Sequence, residues 1–142
     1  MTTTVSEYPA ASPEVAAAHF AARLSLETDP ADVHSVLEAG NADFVLLDTR
    51  SAAGYAKGHV PGALSLPHRA ISAERMAEWA DDTLFVVYCF GPHCNAADQG
   101  ALKLARLGRK VKVMIGGLWG WVDEGYSVAH GVDPGSLKPA GS

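Results

Sequence analysis

A short β-prone run, Phe85-Val86-Val87-Tyr88, stops on Cys89 and breaks at once into Gly91-Pro92, with a helical pattern from Ala96 to Leu107 behind it. Four largely apolar residues of this kind read as a buried strand. The Gly-Pro pair forces a tight loop. Asn95 is placed to begin the helix as its N-cap, and Gly108 to stop it as the C′ residue. A cysteine between the carboxyl end of a strand and the amino end of a helix meets exposed amides and the positive end of the helix dipole, which favour an anion. Cys89 is therefore expected to have a lowered pKa and to work as a nucleophile. The competing reading is a cysteine that only fills core space, as free cysteines often do.

The rest of the chain repeats the same grammar of short strand and helix. Met1 to Ser12 reads as a flexible lead-in, and Ser12-Pro13-Glu14 as a helix start with a cap, a proline in the first turn and an acid. Val15, Ala18, Ala22 and Leu26 then form one apolar stripe, expected to pack on the chain's own domain, with a dimer arm as the alternative. Asp29-Pro30 opens a second helix over Ala31 to Ala39, ended by Gly40. Phe44 to Leu47 is a strand, Ser51 to Lys57 a short helix or turn, Leu64 to Leu66 a brief strand, and Ile71 to Trp79 a helix by its spacing. Val111 to Ile115 is a further strand, broken by Gly116-Gly117, and Leu118 to Glu124 a last helix. From Ser127 on, Gly and Pro imply an extended tail. The order α-α-β-α-β-α-β-α-β-α argues a parallel-sheet α/β domain.

Composition narrows the function classes. At 142 residues the chain makes one domain, with 48% hydrophobic and 19% charged residues marking it as globular. A formal charge of −5 leaves no basic stripe for nucleic acid. No apolar run approaches the roughly 20 residues of a membrane span. Two cysteines separated by four residues do not make a secreted disulfide framework, and the first lysine or arginine is Arg23, so no positive leader is read. A cytoplasmic setting, with reduced thiols, is the simplest expectation.

Several pieces in order resemble one family. Asp48-Thr49-Arg50, Tyr55, Gly58-His59-Val60-Pro61-Gly62-Ala63 and Leu66-Pro67 are similar to the rhodanese-homology signature. So are Val86-Val87-Tyr88-Cys89 with its loop and helix, and Gly116-Gly117 with Trp121 and Gly125-Tyr126. The resemblance covers about Asp32 to Val128. It implies a rhodanese-like domain over 29–130, with a central, mostly parallel sheet flanked by helices on both faces. An extra N-terminal helix would lie within 1–28 and a flexible tail over 131–142. It also implies a sulfurtransferase of the thiosulfate type, in which Cys89 takes a sulfane sulfur and passes it to a thiol or cyanide. Phe90, Gly91, Pro92, His93, Cys94 and Asn95 would form the loop whose amides point inward around the sulfur, with Asp48, Arg50 and His59 in support. No metal and no cofactor are implied. The partners would be a small sulfur donor and a thiol acceptor such as thioredoxin or glutathione, with no nucleic acid or membrane, and the chain a monomer or homodimer.

The loop departs from the family's pattern in ways that bear on chemistry. Many members carry arginine where Cys94 stands, often glycine at Pro92, and commonly glutamate at Gly54. Pro92 supplies no N–H to an anion. Without a glutamate at 54, Arg50 either faces the site or pairs elsewhere, with Asp123 or Glu124 as examples. Cys94 invites a resolving role, attacking Cys89 after loading to release hydrosulfide and leave a disulfide; its alternative is a small apolar filler. A metal site on Cys89, His93 and Cys94 lacks the Cys-x2-Cys pairs of structural zinc. A cysteine phosphatase needs arginine six places after the nucleophile, where this chain has Asn95. The class-level alternative is a non-catalytic rhodanese-like module that binds a partner or senses redox state through Cys89 and Cys94.

Overall fold

The computed structural model describes residues 1–137. In chain order its elements are α1 (Pro13–Leu26), β1 (Glu27–Thr28), α2 (Pro30–Ala39), β2 (Val45–Asp48), α3 (Ala52–Lys57) and β3 (Leu64–Ser65). A 3-10 turn (His68–Ala70), α4 (Ala73–Met76), β4 (Leu84–Tyr88), α5 (Ala96–Arg106), β5 (Lys110–Met114) and α6 (Gly117–Asp123) follow. The strands form one sheet in the order β1-β5-β4-β2-β3, with every pairing parallel. This is the α/β rhodanese-like architecture that the motifs imply.

Strand β4 lies at the centre because its side chains suit burial on both faces. Phe85 and Val87 point to the side covered by α4 and α5, where Leu47, Met76 and Leu104 complete a cluster. Val86 and Tyr88 point to the side covered by α2, α3 and α6, with Val33, Tyr55 and Trp121. Continuing the alternation one step places Cys89 on the α5 side, at the carboxyl end of the sheet. Helix α5 then runs back from the loop and ends at Gly108, whose φ of 79° lets its N–H reach the Ala105 carbonyl at 2.9 Å. The Arg109 N–H reaches the Leu104 carbonyl at 2.9 Å, completing a Schellman stop.

The sequence expectations fail in four places. Strand β1 was not expected: two residues carry no period, and they are strand only because Glu27 and Thr28 pair with Val113 and Met114. The helix expected over Ile71 to Trp79 shortens to the four residues of α4, capped by Ser72 and preceded by the 3-10 turn over His68–Ala70. Beyond it the chain turns, and the Arg109 guanidinium takes the carbonyls of Met76, Trp79 and Ala80 at 2.6, 3.0 and 2.6 Å. Helix α1 begins as read, with Ser12 Oγ accepting the Val15 N–H, but it buries no residue. Val15 and Leu26 are each 61% exposed, so the stripe does not pack into the domain core.

The fourth difference is the segment after Ser127, read as an extended tail. His59 and Ala129 form a β-bridge, the Gly131 N–H bonds the Ala56 carbonyl, and the Gly62 N–H bonds the Pro134 carbonyl. The chain is thus pinned as far as Pro134, and 138–142 of the expected tail lie outside the described residues. Among the described residues no helix is long and apolar enough to cross a membrane.

Candidate active site

Cys89 leaves β4 held by its neighbours' backbone. Thr49, one residue past β2, gives both its N–H (3.0 Å) and its Oγ1–H (2.8 Å) to the Tyr88 carbonyl. The next two carbonyls, of Cys89 and Phe90, accept the Leu118 and Trp119 amides of α6 at 2.9 and 2.8 Å. This seating needs glycine at 117, where φ is +58° and an added Cβ would lie 2.3 Å from the Cys89 carbonyl oxygen. The Cys94 N–H closes the loop onto the Gly91 carbonyl at 3.1 Å, and Asn95 begins α5. Asn95 occupies the cap position without a capping hydrogen bond; its Oδ1 accepts from Gln99 instead.

Cys89 is 3% exposed, yet it lines a pocket of about 420 Å3 together with Gly91, Pro92 and Cys94. Both cysteines are free thiols. The two thiols line the same pocket, and their protonation is divided unequally. Burial pushes the Cys89 thiol up to about 11; the Ala97 amide opposes this, the adjacent Cys94 adds to it, and the Gly91 amide opposes it. At Cys94 burial acts in the same upward direction. It is outweighed by the Ala96 amide, the Cys89 thiol, the Phe90 amide and the Arg50 charge, and the pKa falls below its ordinary 9.0.

The lowered thiol expected at Cys89 is therefore found at Cys94. The amides of this junction are shared between two sulfurs, and the less buried one gains more. The Cys94 carbonyl also stands 3.0 Å from Cys89 Sγ, as the acceptor of its S–H. That contact holds the protonated thiol and opposes an anion. The inward ring of amides is thus interrupted in the resting site by two carbonyls, of Cys94 at 3.0 Å and of Gly91 at 4.0 Å, and ionising Cys89 requires these contacts to loosen.

Arg50 pairs with Asp48, not with Asp123 or Glu124. Its Nε and Nη2 lie 3.0 and 2.6 Å from the two carboxylate oxygens, and Nη2 also donates to the Gly58 carbonyl at 2.6 Å. Burial alone would lower the guanidinium pKa, but the Asp48 hydrogen bond and charge raise it. Arg50 is thus fixed as a cation whose field reaches both cysteines. Asp48, fully buried, acts on the site only through Arg50.

His59 is placed away from the cysteines, on the opposite side of the sheet. It is fully buried, stacks on Tyr55 at 3.7 Å, and faces the Tyr55, Asp133 and Pro134 carbonyls with its two ring nitrogens. It clamps the Gly-Pro loop to the C-terminal segment. Tyr55 and Tyr88 complete that clamp, bonding the Ala63 carbonyl at 2.6 Å and the Val60 amide at 3.0 Å. His93 and Phe90 turn outward against the half-exposed Trp119, at centroid distances of 5.2 and 6.4 Å.

Thr49 and Gly117, read in the sequence as parts of the Asp48-Thr49-Arg50 and Gly116-Gly117 motifs, gain their roles here: Thr49 orients the peptide before Cys89, and Gly117 lets α6 approach. Two further residues carried no sequence signal. Glu27 and Asp98 line the pocket, Glu27 through the unforeseen β1 and with its carboxylate paired to Arg23 at 3.2 Å. Among the described lining residues there is no lysine, arginine or histidine.

The rhodanese-like domain family matches residues 29–124. The BH2092 protein of Bacillus halodurans superposes with a TM-score of 0.80 at 34% identity, over 84% of this chain and 88% of that one. The rhodanese-like domain of the Anabaena protein Alr3790 superposes with a TM-score of 0.65 at 27% identity, over 82% and 86%. HTH-type transcriptional regulator Rv0324 of Mycobacterium tuberculosis is 40% identical over 101 residues, 66% of this chain and 43% of the regulator. The chain thus spans less than half the length of that curated relative. A buried-strand cysteine seated between α5 and α6, inside a parallel β1-β5-β4-β2-β3 sheet, and a family match across most of the chain lead to one assignment: the chain belongs to the rhodanese-like family.

Proposed function

We propose that the protein is a sulfurtransferase that carries a sulfane sulfur on Cys89. The observation that supports this most is the position of the Cys89 thiol, at the carboxyl end of β4 and the amino end of α5, opening onto a pocket beside a second thiol. In the first step Cys94, as thiolate, accepts the Cys89 proton. The Cys89 thiolate attacks the outer sulfur of the donor, and the donor's remaining fragment leaves. The resulting persulfide is an anion, which the Gly91 and Ala97 amides and the α5 N-terminus stabilise while the Cys94 carbonyl gives way. Arg50 adds a fixed positive field from behind the loop. A thiol or cyanide acceptor then removes the outer sulfur.

The pocket suits a persulfide or polysulfide donor better than thiosulfate. Thiosulfate is a dianion, and the pocket presents Asp98 and also Glu27, whose carboxylate is already taken by Arg23 at 3.2 Å. Reduced thiols at rest suit the cytoplasm. A second reading, in which a sulfur-loaded or oxidised Cys89/Cys94 pair is sensed rather than turned over, is favoured by the similarity to an HTH-type transcriptional regulator.

Initial-rate kinetics separate the two readings. Transfer through a covalent carrier gives parallel double-reciprocal lines with donor and acceptor varied, and Cys89→Ala abolishes turnover. Intersecting lines, or turnover surviving in Cys89→Ala, would refute the carrier. A wild-type chain that takes up sulfur yet shows no turnover with any thiol or cyanide would favour sensing.

A further inference from the structure

We propose that Cys94 resolves the sulfur-loaded site, so that sulfane sulfur leaves as hydrosulfide and the enzyme is returned to its dithiol by an external dithiol reductant. The inference rests on the Cys89 persulfide and specifies its fate. Three features of the site carry it. The two thiols line one pocket and belong to one packed side-chain cluster, so the disulfide bond length of about 2.05 Å is reached by an approach within that pocket. The loop between them is folded back on itself, by Cys94 N–H on the Gly91 carbonyl and by Cys89 Sγ on the Cys94 carbonyl, which holds residue 94 against the Cys89 sulfur. Cys94 is half-buried among donors, with the Phe90 and Ala96 amides and the Arg50 charge favouring its thiolate. A residue that only filled space would need none of these donors.

The step balances without an added oxidant. The loaded site holds Cys89–S–S⁻ beside Cys94–SH, and the Cys94 proton passes to the terminal sulfur. The Cys94 thiolate then attacks Cys89 Sγ, forming the Sγ–Sγ bond with its own electron pair. The bond from Cys89 Sγ to the terminal sulfur breaks, and that sulfur leaves with the bonding pair as hydrosulfide. The sulfane sulfur is reduced by two electrons as the two cysteines are oxidised to a disulfide. A dithiol reductant restores both thiols by exchange, becoming a disulfide itself. Attack at the terminal sulfur instead would expel the Cys89 thiolate, and burial makes that the poorer leaving group.

The test is a single turnover under strict anaerobiosis with the full chain. The donor is thiosulfate in excess, radiolabelled in its outer sulfur, with inorganic polysulfide as a second donor read by intact mass alone. Wild type is expected to lose two hydrogens in mass and to release one equivalent of labelled hydrosulfide. Cys94→Ser and Cys94→Ala are expected to gain one sulfur atom that stays on Cys89 and to release no hydrosulfide. A wild-type chain that keeps the added sulfur and forms no Cys89–Cys94 bond, while both variants behave identically, overturns the resolving role and leaves the carrier standing. If no chain takes up sulfur from either donor, the carrier reading fails and this one with it.

Discussion

Gly117→Ala isolates the contact that seats the reactive loop. The new Cβ would lie 2.3 Å from the Cys89 carbonyl oxygen and 2.9 Å from the carbon and oxygen of Phe90, all of them backbone atoms. Restoring ordinary contact requires the loop and α6 to part by about 1 Å, which breaks the Leu118 and Trp119 hydrogen bonds to these carbonyls. Alanine in the left-handed region costs about 1–2 kcal/mol. The two lost hydrogen bonds add about 1 kcal/mol each, for a total of about 3–4 kcal/mol. Gly40→Ala is the matched control, because φ there is also positive (+75°) and nothing lies within 4 Å of the added Cβ; it costs only the backbone component, about 1–2 kcal/mol. In urea, with a slope of about 1–3 kcal/mol/M, the midpoint falls by roughly 2 M for Gly117→Ala and roughly 1 M for Gly40→Ala. Displacing Cys89 by about 1 Å also slows sulfur loading by about 100-fold at low denaturant, whereas Gly40→Ala loads at the wild-type rate. If the two variants match in midpoint and in loading rate, α6 does not position the loop and the account of the site is wrong.

Three further predictions follow from the charges around the two thiols. Arg50→Ala strands the fully buried Asp48 and is expected to cost about 3–5 kcal/mol in chemical denaturation; Arg50→Lys costs less and keeps Cys94 reactive, measured by alkylation rate. Alkylation against pH modifies Cys94 first, from below its ordinary 9.0, and Cys89 only as pH approaches about 11. In Cys94→Ser the Cys89 profile moves to lower pH, because the neighbouring charge that raises it is gone, and an unmoved profile would show the thiols uncoupled. The sign for stability follows from the same shift: folding raises the Cys89 pKa from 9.0 to about 11, so this group's contribution is intact below pH 9 and is lost as pH rises through 11. Asp98→Asn removes one pocket carboxylate and is expected to speed loading from thiosulfate several-fold at low ionic strength, the gain shrinking in high salt; a salt-independent rate would remove charge from the account of donor choice.

What could be read in the chain was what local pattern decides. Phe85 to Tyr88, the break at Gly91-Pro92 and the stop at Gly108 each act on residues a few places away, so they fix β4, the loop and α5 without knowledge of the fold. What escaped depends on partners distant in sequence. Glu27 is a strand residue, and a pocket residue, only because β5 lies beside it. The helix after Ile71 ends early with three of its trailing carbonyls held by Arg109. His59 reads as a candidate for the site from its loop, but two of its three carbonyl partners are 74 and 75 residues away, and all lie on the other side of the sheet from the cysteines. The raised Cys89 thiol escaped for a related reason. Strand and helix ends predict that anion-holding amides exist near residue 89, whereas burial decides which sulfur receives their benefit.

The central claim is that Cys89 accepts sulfur, and peptide mapping of the loaded chain tests it most directly. Wild type, Cys89→Ser and Cys94→Ser are each treated once with polysulfide, alkylated and digested. The account predicts an added sulfur on the Cys89 peptide of Cys94→Ser and none anywhere in Cys89→Ser. An added sulfur on Cys94 in Cys89→Ser at an equal yield, with Cys89 of Cys94→Ser unmodified, would contradict it.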